Sequence, residues 1–366
     1  MTISKKDFTL NILNGISLGV VVTLVPAALT GQLMKALLGV FPLGAAVISM
    51  TNFTMSLLAA VSGFCVGHLF KFNMIQTSAV AAAAMIGAGV IKQTTQGFVL
   101  SGTGDVINTA LTITVAVLVA QFIGNKFKNY TVLLLPLLVI VIAGGIGLTT
   151  LPFIKMVTTF IGMAIKNLVT LQPILMGALM GMIFAVLIVS PISSVGIATA
   201  VGLSGIAAGS ANLGIVAGSF TLAIMGSSVN SLGTTLAHFV GTPKIQMANM
   251  LEKPFLFIPV MINAAVLGAI GAIFNIQGTA MSAGFGFSGL IGPMAALGAM
   301  KVDGAALVLV TVLFLILPIL LGLLAKYVFV KKTKRIVPKD LLIQVQVTLR
   351  MKEAELKELI LLVRLF

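Results

Sequence analysis

The sequence predicts an all-α polytopic membrane protein whose helices are interrupted by glycine-rich breaks, and three observations carry that reading. Of the 366 residues, 59% are hydrophobic and 8% charged, with a mean hydropathy of +1.18, a composition foreign to soluble domains. Between Phe8 and Val330 the only carboxylates are Asp105, Glu252 and Asp303, and no arginine precedes Arg335, so long stretches can enter hydrocarbon. Glycines number 38 and prolines 12, which suits close helix packing and helix breaks whose freed carbonyls are satisfied by neighbours.

Residues 10–29 form a first span, with Lys5 and Lys6 favouring a cytoplasmic N-terminus and Pro26 placed to kink its far end. Residues 41–70 are too long for one perpendicular crossing, so this segment is tilted or begins with an interfacial or broken piece; Thr51 and Asn52 are its polar interruption. Residues 74–91, with AAAAMIGAGV, suit a helix squeezed between others. Residues 101–124 make the next span, opening on Gly102, Thr103, Gly104, Asp105 and Asn108. Asp105 has two compatible readings: a helix N-cap, favoured by orphan amides and the helix dipole, or, with Asn108, a ligand- or proton-linked group. Lys126 and Lys128 mark a cytoplasmic loop before a span at 130–148. Residues 151–171, carrying Lys155 and Lys166, read as an interfacial helix or a domain junction. The chain is thereby divided into an N-terminal half, 1–150, a C-terminal half, 151–330, and a tail, 331–366.

The C-terminal half starts with a span at 173–190 and then breaks at SPISSVGIATAVGLSGIAAG, residues 190–209. Pro191 cannot continue a helix with normal hydrogen bonding, and Ser190, Ser193 and Ser194 stand beside it to satisfy carbonyls or touch a substrate. After a span at 215–225 comes the densest polar stretch of the body, holding Asn230, His238, Lys244, Gln246, Asn249, Glu252 and Lys253. A span at 255–274 leads to a second break, QGTAMSAGFGFSGLIGP, residues 277–293, and a last span covers 305–330. Backbone of this kind at bilayer depth is tolerated where protein buries it or where it lines a wet cavity. Paired interrupted segments are the sequence pointer to a midplane binding site.

The formal charge of +14 does not indicate a nucleic-acid partner. Residues 331–366 hold nine Lys or Arg against four Asp or Glu, a net of +5, and the other lysines sit singly between apolar runs, the positive-inside pattern. The tail beyond Pro338 has helical spacing of its apolar residues and reads as an amphipathic helix on the membrane surface or against a partner. With Cys65 as the sole cysteine, and His68 and His238 lacking acidic partners, neither a disulfide framework nor a metal site is expected. No Walker pattern, catalytic triad or cofactor motif is present.

The motifs SPISS with GLSGIAAG, GTPKIQMANM with KP and IPVMINAAVLGAIGAIFNI, and GFGFSGLIGP, together with GTGDVINT at 102–109, resemble the membrane component IIC of the bacterial phosphotransferase system, in its type 2 or PfoR-like branch. The resemblance covers most of residues 10–325. It implies about ten crossings with two re-entrant hairpins, near 190–209 and 277–293, and a homodimer made through the N-terminal half. It also implies a bacterial plasma-membrane location with both termini cytoplasmic, and a small solute, a sugar or sugar derivative, held by a C-terminal half that moves as a body. Phosphorylation would need separate IIA and IIB partner proteins. The Thr-Glu-Pro hairpin motif of better-studied branches is missing, so Glu252 and His238 are its nearest substitutes or plain loop residues. Tryptophan is absent and the two tyrosines, Tyr130 and Tyr327, lie outside the hairpins, so amide and hydroxyl side chains must do the holding. The candidate substrate-binding residues are Ser193, Ser194, Asn230, His238, Gln246, Asn249, Glu252, Asn275, Gln277 and Ser288. Two other classes stay open: a membrane sensor that keeps the binding fold and signals through the tail, and a facilitator or exporter of a less polar molecule.

Overall fold

The computed structural model describes residues 4–95, 97–124, 126 and 130–343. The amphipathic tail helix expected beyond Pro338 falls almost wholly outside the described residues, as does Lys128. Among the described residues, six helices are long and apolar enough to cross a membrane, or seven if one bent pair counts as a span.

The N-terminal part starts with α1 (Lys5–Leu37), capped by Ser4, whose Oγ accepts from the Asp7 amide at 3.1 Å. The long apolar segment after it is broken rather than tilted as one rod. It forms α2 (Gly44–Ser56) and α3 (Leu58–Leu69), bent by 56°, with the bend at Leu57 and not at Thr51–Asn52. Helix α4 (Met74–Gly87) follows a capping box of Asn73 and Gln76. Next comes an antiparallel hairpin that the sequence reading did not include, β1 (Ile91–Thr94) paired with β2 (Gly97–Leu100). Its polar run KQTTQ is too hydrophilic to extend a span, and Gly97 takes the positive φ of 127° beyond its turn. Helix α5 (Val106–Ile123) then enters the N-terminal core.

One expectation is corrected. The separate segments 130–148 and 151–171 are a single helix, α6 (Thr131–Leu168), of 38 residues. At the α-helical rise it is about 57 Å long, well beyond the roughly 30 Å hydrocarbon thickness of a bilayer. Neither Pro136 nor Pro152 ends it, although each removes one rung of the ladder, and the hydroxyls of Thr149 and Thr150 bond back to the carbonyl of Ile146 at 2.9 Å.

The C-terminal part is built on α7 (Pro173–Ile188), α9 (Gly205–Gly226) and α12 (Phe257–Ile273), which pack extensively on one another. Small residues allow this. A Cβ on Gly181 would meet the carbonyl of Ala264, and one on Gly214 would meet the backbone of Gly181, so the axes approach as close as backbones permit. The last span runs from Gly304 to Lys332 as α15 (Gly304–Thr311) and α16 (Leu317–Ala325), each followed by a π-helical turn. Buried apolar side chains form two clusters, one from Ile12 to Ala143 with Met247, the other from Ile165 to Leu341.

Candidate functional site

The two breaks meet. After α7, Ser190 donates to the carbonyl of Leu187 at 2.8 Å and accepts from the Ile192 amide at 3.1 Å, closing the chain around Pro191. Ser193 then caps the short helix α8 (Ser194–Ala200). In the second break, Thr279 and Ser282 form a capping box at the start of α13 (Ala280–Phe285). Gly286, Gly289 and Leu290 take positive φ of 64°, 55° and 62° before α14 (Ile291–Gly298). Across the junction Ser194 donates to the carbonyl of Gly284 at 2.8 Å, and Gly205 and Gly278 exchange backbone hydrogen bonds at 3.1 and 3.0 Å. Polar backbone freed by the breaks is therefore satisfied partly within each and partly across the junction, which is what a dry surrounding demands.

Beside this junction lies a cavity of about 660 Å³, within the size range of small-molecule sites. Its wall comes from both clusters: Leu58 and the start of α5 on one side, Pro191–Ala200, Gly284 and Phe285 on the other, with Lys155, Thr158 and Thr159 of α6 between. Of the candidate residues, Asp105, Ser193 and Ser194 line it. Asp105 caps α5, its Oδ1 accepting from the Asn108 amide at 2.8 Å. Asn108 is buried behind the wall, donating to the carbonyls of Gly87 at 2.6 Å and Gly147 at 2.7 Å and accepting from Thr150 at 2.8 Å, so it ties α4, α5 and α6 together.

Four other candidates gather elsewhere, at the short helices α10 (Leu232–Leu236) and α11 (Met247–Glu252) and the turns beside them, around the chain's own segment after the last span. Asn230 and Gln246 each donate to the carbonyl of Leu341 at 2.8 Å, Asn249 donates to that of Leu342 at 3.1 Å, and Asn230 Oδ1 accepts from the Ile343 amide at 2.9 Å. His238 backs them. Its Nδ1 donates to the Thr234 carbonyl at 2.8 Å, and Nε2 accepts from Gln246 at 3.1 Å. Burial holds this imidazole down at about 4, against the backbone bonds from Thr234 and Thr235, and therefore neutral near pH 7. Stacking of Phe239 on Phe220 at 4.3 Å, with Phe287 edge-on to Phe220, braces the same loop against the second break.

The remaining candidates are apart. Glu252 pairs with Lys6 at 2.8 Å, joining this loop to α1. Asn275 is exposed at φ 53° and ends α12, with the Ile276 amide reaching back to the Gly271 carbonyl at 2.8 Å. Gln277 is half-buried beside the Gly278 bridge, and Ser288 is buried in the turn before α14.

Sequence reasoning passed over Lys244 as a site residue. It is buried on the cavity wall, in a 3-10 turn (Pro243–Gln246), and its Nζ donates to the carbonyls of Ser190 and, at 3.0 Å, Ile192. Burial pushes this amine down to about 7. Its sequence setting gave no distinguishing signal, since it stands among Gln246, Asn249, Glu252 and Lys253 in the densest polar stretch of the body.

His238 makes the clamp acid-sensitive. The unfolded imidazole titrates near 6.5 and the folded one near 4, so between those values the unfolded state binds the extra proton and stability falls as pH falls. The full effect is about 3 kcal/mol. Unfolding midpoints at pH 7 and pH 4.5 should differ clearly in the native protein and much less in His238→Gln; equal slopes would remove His238 as the cause.

A family model described as "Phosphotransferase system, EIIC" matches residues 10–343. No curated protein and no solved structure matches the chain. The family match takes in both breaks, the cavity and the clamp, and the apolar helices make the protein a multi-pass membrane one; the chain belongs to the phosphotransferase system EIIC family, whose members are membrane components with a transport role.

Proposed function

We propose that the protein carries a small organic solute, a sugar or sugar derivative, across the bacterial plasma membrane by alternating access. The C-terminal half moves as a body against the scaffold of residues 1–150. The observation that carries this is the position of the cavity, whose wall is shared between the two buried clusters at the point where the breaks meet, so a solute there touches both bodies. In this reading the breaks are re-entrant hairpins that bring the crossings to about ten, the scaffold halves form a homodimer, both termini are cytoplasmic, and phosphoryl groups come from separate IIA and IIB proteins.

Proteoliposomes test it. Uptake of labelled sugars, polyols and sugar phosphates should saturate for at least one class and fall at least tenfold in Ala200→Phe, which puts a ring into the cavity from an exposed wall position. A second reading, a membrane sensor, is favoured by the firm hold on residues 341–343 within the tail. Solute binding without flux of any solute would select it.

A further inference from the structure

We propose that the solute bound in this cavity carries an anionic group, a carboxylate or a phosphate ester, that seats against the ammonium of Lys244; the assignment deepens the transporter reading and rests on it. Lys244 is 5% exposed. A lysine has three N–H donors, and two of them are directed at the carbonyls of Ser190 and Ile192. Among the described residues no acceptor takes the third, and the ion pairs there are Lys6 with Glu252 and Lys253 with Asp340, neither of which involves Lys244. A buried ammonium without a counter-charge is costly. A ligand anion arriving through the cavity supplies one.

The rest of the wall agrees. Its charged side chains are Lys244, Lys155 and Asp105, two cations against one carboxylate, and that carboxylate already accepts the Asn108 amide at 2.8 Å. Among the described residues the wall carries no Asn, Gln, Glu, His, Tyr or Trp; its one carboxylate, Asp105, already caps a helix, and its one aromatic ring is Phe285, so the means of selecting a neutral sugar there are few. Hydroxyls of Thr103, Thr158, Thr159 and Thr242 and the ring of Phe285 are left to hold a short polyol chain. One cation on the far wall of a small hydroxyl-lined chamber fits a sugar acid or sugar phosphate better than its neutral parent.

A pH effect follows with a fixed sign. Binding the anion draws a proton onto Lys244, so affinity should fall as pH rises above about 7, approaching tenfold per unit. Nζ is faced by the carbonyls of Ser190 and Ile192 from the α7–α8 break, and the other charged groups on the wall are Lys155 from α6 and Asp105 ahead of α5.

Calorimetric titration of the purified full chain with matched pairs tests the assignment: six-carbon sugar acids and sugar phosphates, each against its neutral parent. At least one charged member should bind ten times more tightly than its parent, with the carboxylate and phosphate arms telling the two sources apart. That preference should vanish in Lys244→Met and decline from pH 7 to pH 9. The matched pairs are read on the native protein, so the test stands even where Lys244→Met fails to fold. Equal binding of charged and neutral members, a preference that survives in Lys244→Met, or no binding by any charged member would overturn it. Saturable flux of a neutral sugar would sink this assignment alone, whereas absence of flux for every solute would sink the transporter reading.

Discussion

A chain ending after residue 334 should fail to give folded, monodisperse protein in detergent, whereas one ending after residue 343 should melt within a few degrees of the full chain. The difference lies in a stretch outside the membrane spans. Ile336 and Leu341 are 1% and 0% exposed and belong to the C-terminal cluster, and each such side chain contributes about 1.5–3 kcal/mol when buried. Losing residues 341–343 also removes one hydrogen bond from each of the Asn230, Gln246 and Asn249 amides, which keep their bonds to Gly226, His238 and Gln246, at about 0.5–1.5 kcal/mol for each bond lost. Lys253 loses its ion pair with Asp340, a half-exposed contact worth little. The sum is on the order of 5 kcal/mol or more, comparable to the whole stability of a typical domain. Size-exclusion profiles and melting curves of the two truncations decide the matter. Matching curves for both would mean that the clamp holds nothing of consequence.

The second large effect is expected at Gly284. Its carbonyl accepts from Ser194 at 2.8 Å, and a Cβ added there would meet the side chain of Val195, with the backbone nitrogen of Val195 at 2.7 Å. Neither partner can retreat cheaply, since both belong to backbone already fixed by caps. Gly284→Ala should therefore part the two breaks, cost about 1–3 kcal/mol as overpacking does, and reduce solute uptake at least tenfold. Gly298→Ala is the control, because nothing lies within 4 Å of a Cβ there. If both variants transport alike, the contact between the breaks is not needed for function.

How much of this was legible in the sequence depends on what kind of signal each feature leaves. The breaks were legible because proline, serine and glycine cluster nowhere else so densely against apolar flanks, and the backbone has few other ways to use Pro191 beside three serines, or GFGFSG. The unbroken α6 was not. Pro152 and the lysines after it look like a boundary, but a helix tolerates one missing N–H when its neighbours stay helical and Thr149 and Thr150 turn their hydroxyls inward. The roles of the amide side chains were not legible either. In an apolar chain, Asn230, Gln246 and Asn249 stand out equally whether they meet a solute or the carbonyls of Leu341 and Leu342, since irregular backbone needs donors as much as a ligand does. Lys244 was hidden by the same logic reversed: lysines in membrane proteins usually mark cytoplasmic loops, and its neighbours in space, Ser190 and Ile192, are far off in sequence.

Helix α6 begins in one cluster, through Leu135, Val139 and Ala143, and ends in the other, at Ile165, with Pro152 between. The proline gives it the form of a lever with a pivot for the proposed movement. From Pro152 to Ile165 the arm is about 20 Å, so a change of about 20° at the proline, an ordinary kink, would swing its tip on the order of 7 Å. If the C-terminal body moves as proposed, Lys155, Thr158 and Thr159 on the arm after Pro152 would shift with it, relative to Asp105 ahead of α5. The chamber's mouth would widen or narrow with the bending of a single rod, without any hinge loop.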